Sequence, residues 1–105
     1  KSELSELALE QLKMLANNFQ TVINLAEQQQ LNLGLIIMGA SDPVGSKAFN
    51  QRLSRDRALA AQKELVKLGI EPGYLNAIGL GIVESHTTGK GVRKVLFSVV
   101  YFDSE

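Results

Sequence analysis

Apolar side chains return every third or fourth position through the first thirty residues. Leu4, Ala8, Leu12, Leu15, Phe19, Val22, Ile23 and Ala26 keep helical spacing, while Glu6, Glu10, Lys13, Asn17 and Gln20 fall between them. The pattern predicts one long amphipathic helix over about residues 3–30, clearest over 5–29, with Ser2 and Ser5 as alternative N-caps. Its polar face is not cationic, so packing on a sheet is a better fit than lying on a membrane surface. The glutamines at 28–30 read as a polar helix end.

Residues 33–38, Leu-Gly-Leu-Ile-Ile-Met, are too short and too apolar for a surface helix and predict a buried strand with apolar side chains on both faces. Gly39, Pro43, Gly45 and two serines then mark 39–46 as a loop. Residues 47–68 are helical, closed by Gly69 with Pro72 just beyond. Ser54 can cap a second segment inside that stretch, with a short turn before the main helix. Residues 75–79 predict a short strand, 82–92 an irregular Gly-rich stretch, and 94–102 a closing strand. Strand, helix and strand in that order imply a right-handed crossover between parallel neighbours. The expected fold is α/β (α+β): a two-layer sandwich of long helices on a small mixed sheet, with 1–105 as a single domain.

Size and charge narrow the chemistry. A chain of 105 residues can build a modest core without metals or disulfides. Eleven basic and eleven acidic side chains cancel, so no overall field draws it to nucleic acid. The lack of cysteine removes disulfides and thiolate metal sites. No apolar run reaches membrane-spanning length. A first residue of Lys rather than Met is expected of a segment of something longer.

One acid and one base stand out. Asp42 falls where the first strand ends, and Arg57 lies fifteen positions later on a stripe with Asn50, Leu53, Ala61, Leu65 and Leu68. Burying a guanidinium without an acidic partner or an anionic ligand costs several kcal/mol. A short connection brings the strand's C-terminus to the helix N-terminus, the edge at which α/β folds commonly bind ligands. If Ser54 caps the helix, free amides around residues 55–57 add an anion site. A carboxylate for a cation beside a guanidinium for an anion suits a zwitterion. An internal Asp42–Arg57 salt bridge tying loop to helix accounts for the same spacing.

Gly39-Ala40-Ser41-Asp42, then Gly45, Asn50, Leu53-Ser54, Arg57-Ala58, Leu65, Gly69-Ile70 and Gly79-Leu80-Gly81 resemble the C-terminal domain of the outer-membrane protein A (OmpA) family over residues 33–100. That family also includes peptidoglycan-associated lipoproteins and flagellar-motor stator proteins. The resemblance implies non-covalent, non-enzymatic binding of the cell-wall stem peptide, with no cofactor. It assigns the amine and carboxylate of a diaminopimelate residue to Asp42 and Arg57, with Asn50 hydrogen-bonding beside them. Ser41, Gly45, Leu53, Ser54 and Arg93 take supporting places. It also implies a periplasmic domain of an outer-membrane or lipid-anchored protein of a Gram-negative bacterium.

The chain departs from the family in places. Ala40 stands where the family has His or Tyr, and Pro43 stiffens the loop after Asp42. Arg93-Lys94-Val95-Leu96 keeps a basic pair but drops the acid that often follows. The strand that precedes the first helix in the family is absent from this chain. Other signals are weak. Gly79-Leu80-Gly81 lacks a third glycine and reads as a turn, and Gly89-Lys90 lacks an upstream Gly-rich loop. His86, the single histidine, reads as a loop surface residue, and a Ser41–Asp42–His86 triad lacks a nucleophile elbow. The aromatic residues mostly sit at core spacings, so base or sugar stacking is not indicated. Two functions follow: peptidoglycan binding that anchors a larger envelope protein, or a degenerate OmpA-like module that joins copies or partner proteins through its long first helix.

Overall fold

A computed structural model describes residues 5–41, 45–82 and 95–102. Helix α1 (Glu6–Gln28) begins at Ser5, whose Oγ accepts the Ala8 N–H at 3.1 Å, so Ser5 is its cap; Ser2 lies outside the described residues. It ends where Gln30 takes φ 59° and the Leu31 N–H returns to the Ala26 carbonyl at 2.8 Å. Leu12, Ala16, Phe19, Ile23 and Ala26 form its buried stripe.

Strand β1 (Asn32–Ser41) leads to helix α2 (Lys47–Lys67), a 3-10 turn (Pro72–Tyr74), strand β2 (Leu75–Ile82) and strand β3 (Val95–Phe102). The sheet order is β2-β1-β3. The expected parallel neighbours are present: β1 and β2 pair in parallel through Leu35↔Leu75 and Ile37↔Ala77. β3 runs antiparallel to β1, with Ile37 opposite Phe97.

One sheet face carries the core. Leu33, Leu35 and Ile37 point into a cluster with Phe19, Ile23, Ala58, Ala61 and Leu65 from the two helices. On the other face Ile36 and Met38 are half-buried, while Ile78, Leu80, Leu96 and Val100 are exposed. Both helices therefore lie on one side, and β1 is covered more fully on that side than on the other. Tyr74 joins the turn to α1: its ring meets Phe19 edge-on at 6.3 Å and its hydroxyl donates to Glu27 at 3.2 Å. Burial first, and then the Glu27 carboxylate, push the Tyr74 phenol above its usual range, so it stays a donor.

Three local expectations change. β1 does not stop at Met38 but continues through Gly39, Ala40 and Ser41, because Gly39 still pairs with Gly79 on one side and Val95 on the other. Gly79-Leu80-Gly81 is not a turn; β2 runs on to Ile82, with a shift of register between Gly39 and Ser41. Phe49, Tyr101 and Phe102 are exposed rather than core residues. The Gly-rich stretch from 83 to 94, with His86, Lys90 and Arg93, lies outside the described residues.

Candidate functional site

The C-terminal edge of β1 meets the first half of α2, and glycines set how closely. A Cβ on Gly39 would collide with the Ser54 carbonyl oxygen, and one on Gly79 would lie 2.7 Å from Ser54 Oγ and from the Arg55 backbone nitrogen. The helix thus sits directly on the strand backbones, where only small groups fit. Ser54 and Ala58 accordingly occupy the centre of its buried face, with Asn50, Ala61 and Leu65.

Ser54 is not a cap. The helix starts at Ser46, whose Oγ accepts the Phe49 N–H at 3.0 Å, and it continues without a break through position 54. The amides of residues 55–57 are inside this helix and offer no free anion site, contrary to the expectation. Ser46 out-competes Ser54 because it stands where the chain enters from the loop in extended conformation, φ −76° and ψ 161°. Ser54 serves the sheet instead. Its Oγ donates to the Gln51 carbonyl at 2.9 Å and accepts the Gly81 N–H at 2.9 Å. Gln51 had no role in the sequence reading, yet its Nε2 donates to the Gly79 carbonyl at 2.7 Å. Together they hold the backbone of Gly79 and Gly81 next to the register shift.

Around Ser41 lies a buried polar group. The Ser41 hydroxyl donates to Asn50 Oδ1 at 2.8 Å, and Asn50 Nδ2 donates to the Ser46 carbonyl at 2.9 Å. Asn50 is 1% exposed, so its amide links the end of β1 to the start of α2. Gly45, just before the helix, takes φ +92°, which favours glycine, and it lies against the Phe49 ring.

Arg57 sits at the margin of the stripe, half-buried beside Leu53. Its Nη1 donates to the Ala40 carbonyl at 3.0 Å. A single neutral acceptor engages one of the guanidinium's five N–H donors among the described residues. The bond holds the cation at the last residues of β1. Asp42, the next residue after Ser41, lies outside the described residues, as does Arg93. The structure thus brings Arg57, Ser41, Asn50, Leu53, Gly45 and Ser54 to one edge of the sheet.

The family model for "OmpA family" matches residues 3–94. The chain belongs to the OmpA family. It is 38% identical over 72 residues to outer membrane porin F of Pseudomonas aeruginosa, a match covering 66% of this chain and 21% of the porin. The chain spans about a fifth of the length of that relative. Among solved structures, the OmpA-like domain of FopA1 from Francisella tularensis aligns with a TM-score of 0.76 at 18% identity, over 96% of this chain and 65% of that one. The peptidoglycan-associated lipoprotein from Burkholderia pseudomallei aligns at 0.71 and 20% identity, over 97% and 83%. These likenesses establish the fold of the OmpA-like chain as helices on a small mixed sheet. None of the three is named for a reaction. Among the described residues, no helix is long and apolar enough to cross a membrane.

Proposed function

We propose that this OmpA-like chain is a non-catalytic domain of the bacterial periplasm that binds peptidoglycan and anchors a larger envelope protein to the wall. The observation that carries the reading is the half-buried Arg57 guanidinium, held at the C-terminal edge of β1 by the Ala40 carbonyl. With one neutral acceptor among the described residues, the half-buried guanidinium keeps further N–H donors that an anion can take. Asp42 follows two residues after Ala40, in the chain segment next to that edge. Family membership adds support, since the similar fold from Burkholderia pseudomallei is that of a peptidoglycan-associated lipoprotein.

The ligand that suits the pair is the side-chain end of diaminopimelate in the stem peptide. Its ammonium goes to the Asp42 carboxylate and its carboxylate to Arg57, both borne on one carbon. Asn50 acts by fixing Ser41 and the start of α2, so that the strand end and the helix keep their spacing. Leu53 offers the apolar flank beside the guanidinium, and the backbone grip of Ser54 keeps the helix seated. Pro43 limits the angles open to Asp42.

A lysine-type stem peptide ends in an amine alone and leaves Arg57 without its anion. Unmet polar groups in a site discriminate more sharply than a missing methylene. Calorimetry with the two peptides is expected to show at least tenfold weaker binding of the lysine type, or ~1.4 kcal/mol. Equal affinities would place the grip elsewhere than at Asp42 and Arg57.

A further inference from the structure

Charge is not spread evenly over the fold. The three strands carry no charged side chain among the described residues, and α1 carries Glu6, Glu10, Lys13 and Glu27. Helix α2 holds six of the chain's eleven basic residues. Lys47, Arg52, Arg55, Lys63 and Lys67 are exposed on it and Asp56 is its one exposed acid, a net +4 on a chain that is neutral overall. Arg57 and Glu64, both half-buried, offset each other. Arg52, Asp56, Leu59, Lys63 and Val66 follow one another by steps of four and three, along the side opposite the buried Asn50, Ser54, Ala58, Ala61 and Leu65.

Helix stability does not account for this set. Lys47 stands in the first turn, where the helix dipole disfavours a cation and no acid is present. Lys63 and Lys67 are four positions apart, a repulsive spacing for like charges. None of the five exposed cations makes an ion pair with another described residue. Lys67 alone suits its place, in the last turn. Cations gathered on one face without acids of their own fit an anionic partner.

We infer that the outer face of α2 is a second contact with the wall, taking carboxylates of neighbouring stem peptides while the edge at Arg57 holds one. The inference rests on the wall-binding reading above. Two features select this occupant. From Lys47 to Lys67 the face runs about 30 Å at ~1.5 Å per residue, longer than one zwitterion and suited to a repeating polyanion. It also continues from the candidate site, since Ser46, Asn50 and Arg57 share the first half of the helix with Lys47, Arg52 and Arg55. An anionic lipid surface fits less well. The exposed Phe49, Leu59 and Val66 lie about 15 and 10 Å apart along the axis, so no continuous apolar side can enter a bilayer. Exposed charges are screened by salt, so the face adds strength to the contact, and the choice of peptide stays with Asp42 and Arg57.

Co-sedimentation with purified diaminopimelate-type sacculi in about 0.1 M and about 1 M salt reads the face, because the Debye length falls from ~10 Å to ~3 Å. The probe variant combines Arg52→Gln, Lys63→Gln and Lys67→Gln, all at exposed positions. A control combines Gln11→Glu, Asn17→Glu and Asn24→Glu on exposed positions of α1, which shifts the net charge by the same amount. At low salt the folded probe variant is expected to bind sacculi about tenfold more weakly than the unchanged chain, ~1.4 kcal/mol, while the control stays close to the unchanged chain. At high salt the unchanged chain and the probe variant should converge. Calorimetry with one soluble stem peptide should give both the same affinity, because a single peptide occupies the edge alone. Equal pelleting of the two at low salt would overturn the inference and leave the wall-binding reading standing. An unchanged chain that never pellets would overturn both. The inference also fails if the α1 control loses as much, or if soluble-peptide affinity falls with the probe variant. Stronger pelleting of the unchanged chain with phosphatidylglycerol vesicles than with sacculi would overturn the wall as occupant.

Discussion

Gly39 is the residue on which the site depends most while carrying no chemistry of its own. Its missing side chain lets α2 lie on β1, and the helix brings Arg57 to the Ala40 carbonyl only at that separation. A Cβ there meets the helix backbone, which has no rotamer to yield, so the helix must move. Gly39→Ala is expected to lower stability by at least ~1–3 kcal/mol, the usual range for overpacking, and to weaken wall binding through the shifted guanidinium. Thermal denaturation beside a binding assay checks both parts; an unchanged melting temperature would mean the contact relaxes freely. An arginine on an apolar stripe demands a partner, which singled out Arg57 in the sequence, and the structure sets its guanidinium on the Ala40 carbonyl at the end of β1. The role of Gln51 was not legible there. It is set by Gly79, twenty-eight positions away, and nothing local marks a surface glutamine as a backbone clamp.

At the scale of elements, both helices and β3 could be read from periodicity to within a residue of their ends, and the C-terminal ends of β1 and β2 could not. The sequence marked Ser54 as a cap inside the stretch, and the structure starts α2 at Ser46. Local preference favours a serine as cap at either place, and the choice fell to Ser46 because the loop delivers the chain there in extended form. Ser54 was then left inside the helix, where its hydroxyl satisfies the Gly81 N–H at the register shift. The end of β1 was missed for a related reason: glycines usually signal turns, but Gly39 and Gly79 are strand residues chosen for close approach. The two serines should differ on removal. Ser46→Ala loses a cap, at about 1 kcal/mol. Ser54→Ala strips a buried N–H of its acceptor, at about 1–3 kcal/mol. Urea unfolding of both variants is expected to rank Ser54→Ala as the more damaging, and the reverse order would show that water or a moved side chain replaces the lost acceptor.

For the whole molecule, the two-layer arrangement leaves one sheet face and one helix stripe in contact with solvent and gathers the site at the remaining edge, where β1 ends and α2 begins. Balanced overall charge fits a domain that selects its ligand by a local acid–base pair rather than by a broad field. The family resemblance in residues 33–100 extended to the fold. Co-sedimentation of the chain with purified diaminopimelate-type sacculi tests the central claim most directly, comparing the unchanged protein with Asp42→Ala and Arg57→Ala. The account predicts that both variants keep a native circular dichroism spectrum and lose binding by roughly 2–5 kcal/mol, enough to leave them in the supernatant. Both folded variants pelleting as fully as the unchanged chain would contradict it.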